Sequence, residues 1–349
     1  MAKLLPTLGL TYDDVSLVPQ YSTVKSRDDV DISVELVKGI TLKVPLVSSN
    51  QECLINEEFC EKLWECGGIA MIHQFMSVEQ EVAMLTKVKA KGAKVGASAG
   101  VRGNFMDRVS ALVDAGVDIL LMDTPHAHST NMIDAIKKIR KEFPTLPIMA
   151  GTVATKEGVE ALAEAGANSI KYGIGAGAGC LTRVNAGVGI PQFSAVMLAA
   201  DTAKRCGVSL IADAGVKSPG DFAKAIGAGA TAIQACRIFT GTDEANSEFV
   251  EKDGVKCKIY MGSASEEAKA LRAKNDPDFV QEPTKYIEGT GGLVPYEGSL
   301  ESVVEKYAHG LRSAMSYSGA HTIEEFQRKA TFVQVTVNGA IEAGHRLIK

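Results

Sequence analysis

The chain has 349 residues, 46% of them hydrophobic and 23% charged, with only 11 prolines. That composition excludes disordered, collagen-like and disulfide-stapled chains, and the length suits either two ordinary domains or one α/β barrel with insertions. Its 37 basic and 42 acidic side chains give a formal charge of −5, which opposes a broad nucleic-acid footprint while leaving room for a local basic pocket around a phosphate.

Residues 1–10 carry one lysine and one proline, with neither an extended apolar run nor a small-residue cleavage site. No signal peptide is read there, and cytoplasmic residence is the default expectation. Apolar runs such as 119–122 and 208–212 fall far short of the ~20 residues a membrane helix needs. The seven cysteines, at 53, 60, 66, 180, 206, 236 and 257, are scattered without CxxC spacing, a pattern of reduced thiols.

Strands are expected at 44–48, 68–73, 94–99, 118–123, 147–152, 169–173, 209–213 and 232–238, each a short apolar or β-branched run closed by Gly, Ser, Asn or Asp. Helical periodicity lies between them, for example at 57–65, 78–91, 132–143 and 219–226. Eight such units close most naturally into a (β/α)8 TIM barrel, here a single domain over 1–349. The competing fold, an open doubly wound sheet, would place a GxGxxG turn after its first strand, and the turn after 44–48 has none. Ala115-Gly116, Ala165-Gly166 and Ala228-Gly229 each precede a strand, as glycines that close a helix in the left-handed conformation do. The rhythm breaks at about 240–298, a charged and glycine-rich insertion that includes Lys274-Asn275-Asp276-Pro277-Asp278 and Glu288-Gly289-Thr290-Gly291-Gly292. Connections of that length are usually functional. After an eighth strand it emerges beside the mouth where barrel active sites sit, so a mobile flap is expected.

The segment from Gly173 to Arg183, Gly-Ile-Gly-Ala-Gly-Ala-Gly-Cys-Leu-Thr-Arg, follows the sixth strand. Its glycines let the backbone turn tightly and present amides and carbonyls to an ion or phosphate. Cys180 then stands at a strand's C-terminal mouth, where a thiolate is a strong nucleophile and Arg183 could favour it; an incidental cysteine in a flexible loop is the plainer alternative. Asp123 and Asp213 also end strands and suit ribose hydroxyls, although each could simply cap its loop. His126 and His128 form an HxH pair that, with His73 and Asp213, could instead hold a metal. Only six histidines are present, three of them (309, 321 and 345) near the C-terminus, so a two-metal hydrolytic centre would be short of ligands.

Thr11-Tyr12-Asp13-Asp14-Val15, Gly67-Gly68-Ile69-Ala70-Met71-Ile72-His73, the Cys180 loop with Gly187-Val188-Gly189-Ile190-Pro191-Gln192, and Val294-Pro295-Tyr296 together resemble the IMP dehydrogenase/GMP reductase family, nearly end to end. The resemblance implies a (β/α)8 barrel, usually tetrameric, that redox-converts purine nucleotides through a covalent cysteine adduct. It also implies that the regulatory CBS-domain pair of many members is absent, because 78–91 leads directly to the third strand.

Position by position, Cys180 resembles the nucleophile that attacks C2 of the purine, and Thr182 with Glu288 the proton-handling pair. The substrate contacts implied are Asp213 on the ribose, Met261, Gly262 and Ser263 on the purine edge, and Gly215 and Arg237 near the 5'-phosphate. Asp123, Thr124 and Arg183 fall on the nicotinamide cofactor, NADPH or NAD. Gly175, Gly177 and Cys180 occupy positions whose carbonyls bind a monovalent cation such as potassium in the dehydrogenases.

The departures fall on the phosphate cradle. The family's serine, Gly-Gly and Gly-Ser stand here as Ala178, Ala214-Gly215 and Cys236-Arg237, so Arg237 is expected to compensate with a charge-assisted bond. The asparagine beside the adduct is Thr152, and the family's Asn-Met-Asp reads Asn50-Gln51-Glu52. In place of the dehydrogenases' water-activating Arg-Tyr pair the flap carries Asp278-Phe279. The lack of that base points to GMP reductase rather than IMP dehydrogenase, for which Arg272 would be the substitute water activator.

Overall fold

The computed structural model describes residues 4–5, 8–275 and 287–344. Eight parallel strands, β1 (Leu46–Ser48), β2 (Ala70–Ile72), β3 (Val95–Ala99), β4 (Ile119–Asp123), β5 (Ile148–Val153), β6 (Ser169–Tyr172), β7 (Ser209–Asp213) and β8 (Ala232–Ala235), pair in chain order, with β8 returning to β1. The Val47–Ile69 bridge joins β1 to the segment entering β2, so the ring closes as a (β/α)8 barrel. Each strand lies within or one residue beyond its expected window. The eighth is shorter than 232–238 because the chain is already helical from Arg237.

Helices α1 (Glu57–Glu65), α2 (Val78–Ala90), α3 (Phe105–Asp114), α4 (Thr130–Glu142) and α5 (Lys156–Ala165) alternate with the first strands. The short α6 (Thr182–Asn185) is followed by α7 (Gln192–Cys206), α8 (Pro219–Gly227), the short α9 (Arg237–Thr240), α10 (Glu266–Asn275) and α11 (Leu300–Tyr317). Local chemistry explains the boundaries. Ser77 and Gln80 form a reciprocal capping box at the start of α2, and Ser218 caps α8 with Pro219 in its first turn. Gly116, Gly166 and Gly229 take φ of 81°, 112° and 111°, the left-handed helix ends expected of the three Ala-Gly pairs. Only four residues separate α2 from β3, so no module is inserted there.

Two layers of apolar side chains follow from the closed sheet. Val47, Met71, Ile119, Leu121, Met149 and Ile211 cluster apart from the strand–helix layer, together with Leu36, Val37, Ile40 and Leu42 of the hairpin formed by Val34–Val37 and Ile40–Leu42. These strand residues fill the barrel lumen and the hairpin covers one end. Because a parallel sheet is buried on both faces, its strands read as nearly continuous apolar runs rather than alternating ones.

The insertion is more than a structureless excursion. Strands β9 (Phe249–Lys252), β10 (Val255–Met261) and β11 (Gly291–Pro295) form an antiparallel sheet, with α10 between β10 and β11. Lys258 is buried on β10 and donates to the carbonyls of Thr242, Asp243 and Ala245, tying the sheet to the chain leaving β8. Asp278 and Phe279 lie outside the described residues. Among the described residues no helix is long and apolar enough to cross a membrane.

Candidate active site

A cavity of about 1060 Å³ opens at the C-terminal ends of the strands, beneath the flap sheet, at the upper end of the size range of small-ligand sites. Its wall includes Cys180, Thr182, Arg183, Asp123, Thr124, Asp213, Gly215, Arg237, Gly262, Ser263 and Glu288. Residues from four strand ends and the insertion are therefore brought together as expected. Met261 is not part of this wall; its carbonyl accepts the Cys53 thiol at 3.6 Å.

Cys180 is half-buried, and its thiol donates to the Thr182 hydroxyl at 3.3 Å; that hydroxyl donates to Glu288 Oε2 at 2.9 Å. The flap backbone delivers the carboxylate. Leu181 N donates to the Glu288 carbonyl at 2.7 Å, Cys180 and Gly289 form a β-bridge, and Thr290 N donates to the Gly179 carbonyl at 2.9 Å. A Cβ on Gly179 would stand 2.5 Å from the Thr290 carbonyl oxygen, so glycine at 179 is required for the flap to approach. The Arg183 stem lies across Gly175 and Gly189. The Gly177 carbonyl accepts the Cys180 amide at 3.1 Å, closing the loop that the resemblance associates with a cation.

Asp123 and Asp213 share a partner that the sequence reading missed. Lys171, buried inside the barrel on β6, places Nζ 2.7 Å from Asp123 Oδ1 and 3.5 Å from Asp213 Oδ2. Burial disfavours its charge, but the two aspartates outweigh burial and hold its pKa above the ordinary lysine value. Asn50 donates to Asp123 at 3.0 Å and Thr152 to Asp213 at 2.9 Å. The available signal was a lysine inside the otherwise apolar window of a parallel strand, a position where an unpaired charge is untenable.

The cradle turn persists despite its altered sequence. Ala214 adopts φ of 65° and Gly215 84°, so an alanine takes the left-handed conformation at a cost of about 1 kcal/mol. Arg237 is exposed at the cavity rim, placed to meet an anionic group. Elsewhere in the cavity wall the Thr124 hydroxyl and Gln51 Oε1 are buried without a hydrogen-bond partner. Polar atoms so placed fit the amide, ribose and phosphate groups of a dinucleotide.

The metal reading is corrected. The His126 and His128 rings stand 6.4 Å apart, neither lines the cavity, and among the described residues no group of three His, Cys, Asp or Glu could hold a metal ion. Both follow β4 with their rings edge to face, so what the reading lacks is a third ligand brought to them by the fold. His73 is buried against Phe75 and accepts the Phe75 amide on Nδ1 at 3.2 Å. Burial, then the cations of Arg272 and Arg108, lower its pKa to about 4. The fold thus favours neutral His73. The associated stability is present above the unfolded value near 6.5 and is lost as pH falls toward 4, about 3 kcal/mol in all. Urea midpoints measured from pH 7.5 to 4.5 should fall, and His73→Gln should flatten the slope; equal slopes in both proteins would refute this.

A parallel barrel that gathers a thiol, a hydroxyl and a carboxylate in one hydrogen-bonded chain at the C-terminal mouth of its strands has the build of a barrel enzyme, whose active site lies at that face. The chain belongs to the IMP dehydrogenase/GMP reductase family: the model of the IMP dehydrogenase / GMP reductase domain matches residues 9–346. Members bearing those names are oxidoreductases. An inosine-5'-monophosphate dehydrogenase of Aquifex aeolicus (strain VF5) is 43% identical over 464 aligned positions, spanning 96% of this chain and 94% of that protein. One of Cryptosporidium parvum is 33% identical over 382 positions, spanning 96% and 94%. A GMP reductase of Leishmania donovani is 31% identical over 479 positions, spanning 97% of each.

Proposed function

We propose that the protein is a GMP reductase, converting GMP and NADPH to IMP, ammonia and NADP. The observation that carries this reading is the donor order from sulfur to hydroxyl to carboxylate, Cys180 to Thr182 to Glu288. As the sulfur attacks C2 of GMP, its proton passes through Thr182 to Glu288. The same relay then returns a proton to the 2-amino group, whose C–N bond breaks to release ammonia. The purine is left bound to sulfur through a C2 thioimidate. NADPH supplies a hydride to C2, and the C–S bond breaks to free IMP and regenerate the thiolate. Asp213 and Arg237 hold the ribose and the 5'-phosphate, while Asp123 and Thr124 face the dinucleotide.

The second reading, IMP dehydrogenase with NAD and water giving XMP and NADH, is favoured by the 43% identity to the Aquifex enzyme. It requires a group to activate water. Arg272 does not suit that role, because its guanidinium is committed to Glu52 at 2.5 Å in a buried ion pair. Purified protein given GMP with NADPH is expected to consume the nicotinamide absorbance band; IMP with NAD is expected to leave it undeveloped. The reverse pattern establishes the dehydrogenase. Silence in both assays, with nucleotide-induced thermal stabilisation, establishes a binding barrel without catalysis.

A further inference from the structure

Helix α10 poses a packing problem. Of its eight residues with described side chains only Ala268 and Arg272 are buried, with Leu271 half-buried; one alanine methyl and part of one leucine contribute about 2 kcal/mol, small against the conformational entropy of ordering a ten-residue helix. Hydrophobic burial alone therefore does not dock this helix on the barrel. Arg272 does have a specific seat. Its Nε lies 2.5 Å from Glu52 Oε1 and its Nη2 3.3 Å from Glu52 Oε2, and its guanidinium carbon stands 3.2 Å from the centroid of the Phe75 ring. Glu52 and Arg272 are 5% and 7% exposed, so the pair is bidentate, stacked and withdrawn from water, the setting in which removing one partner is costly. Glu52 follows β1 and is itself anchored, its carbonyl accepting Asn246 Nδ2 at 2.8 Å. Phe75 follows β2.

This assembly lies across the mouth from the chemistry. Cys180 follows β6 and Phe75 follows β2, four strands away around a closed ring of eight. Phe75 and Arg272 line the cavity together with Lys269 of α10, Gln74 and Thr124. Glu288 is held at Cys180 by separate bonds, Leu181 N to its carbonyl and the Gly289 bridge, none of which involves α10.

We infer that the Glu52–Arg272 pair is a latch that docks α10 and builds the dinucleotide-facing wall of the cavity, with Glu52 and Arg272 as positioning residues for the nicotinamide cosubstrate. The inference rests on the proposed oxidoreductase reading for the identity of that ligand. It differs from a simpler role in which the Arg272 charge binds a cofactor phosphate directly. Glu52→Gln separates the two, because it keeps Arg272 charged and frees it from its partner.

The latch makes Glu52→Gln raise the KM for NADPH about tenfold or more, with the KM for GMP within about twofold. Direct phosphate binding makes the KM for NADPH fall or stay unchanged, and that result overturns the latch. Arg272→Lys keeps a charge but loses the bidentate fork, and should behave like Glu52→Gln. Trypsin cleavage after Lys269 supplies a readout independent of activity. It should accelerate in Glu52→Gln under conditions where cleavage elsewhere is unchanged, and an unaltered rate overturns the docking role. If wild-type protein turns over neither GMP with NADPH nor IMP with NAD, the functional reading fails by itself. The latch is then decided by the same cleavage rates and by thermal shifts with NADPH and with NAD, which Glu52→Gln should diminish.

Discussion

Cys180→Ala is expected to lower kcat by at least about 10⁴-fold in whichever nicotinamide assay the wild-type protein supports, because among the described residues no other thiol in the cavity wall is bonded through a hydroxyl to a carboxylate; the Cys236 thiol meets Thr240, whose hydroxyl donates to a backbone carbonyl. In the proposed mechanism Thr182 and Glu288, hydrogen-bonded in series to the sulfur, handle only protons, so they have no covalent chemistry of their own to substitute for it. The variant should still bind the purine nucleotide, since Asp213, Gly215, Arg237 and Gly262 reach the cavity wall independently of the thiol. Steady-state rates with a parallel thermal shift on GMP and IMP separate the two effects. Turnover that survives the substitution within about tenfold would refute covalent catalysis at this residue, and loss of nucleotide binding along with turnover would implicate the loop rather than the sulfur.

Lys171→Met is expected to destabilise the protein by about 3–5 kcal/mol, the cost of leaving buried charge without its counter-ion. Asp123 and Asp213 would retain Asn50 and Thr152 as neutral partners but no cation between them. Burial already holds the Asp213 pKa above the ordinary aspartate value, with Lys171 opposing that shift, so removing the lysine raises it further. The sign follows: the deficit is full at neutral pH, where the unfolded carboxylate is ionised, and shrinks on acidification as the folded one takes up its proton more readily. Asp213→Asn in the Lys171→Met background should recover part of the loss by removing one of the two charges. Urea midpoints at pH 7.5 and 5 measure both effects; an unchanged midpoint in the single variant would show that the pair is dispensable.

The barrel was legible because its signals are local. Strand windows such as 169–173 and 209–213, the Ser77 and Ser218 caps and the left-handed glycines at 116, 166 and 229 depend on side-chain period and turn chemistry within a few residues. The same locality put Cys180, Asp123 and Asp213 at strand ends, and therefore at the mouth. Glu288, 106 residues from Thr182, entered through family resemblance, since no pattern near it announces a contact with the cysteine loop.

Pairings between distant side chains were decided by the tertiary structure alone. Lys171, which the sequence reading passed over, acquires its meaning only when closure of the ring sets it between aspartates from β4 and β7. Arg272 reads as a water activator until the flap helix docks and commits it to Glu52. His126 and His128 read as ligands until the fold leaves them outside the cavity wall and, among the described residues, without a third ligand. A strand's period states which residues face inward, but which charges meet there depends on barrel closure and on where the insertion lands. Those are contacts between segments many residues apart, whose free energy no local run of sequence contains.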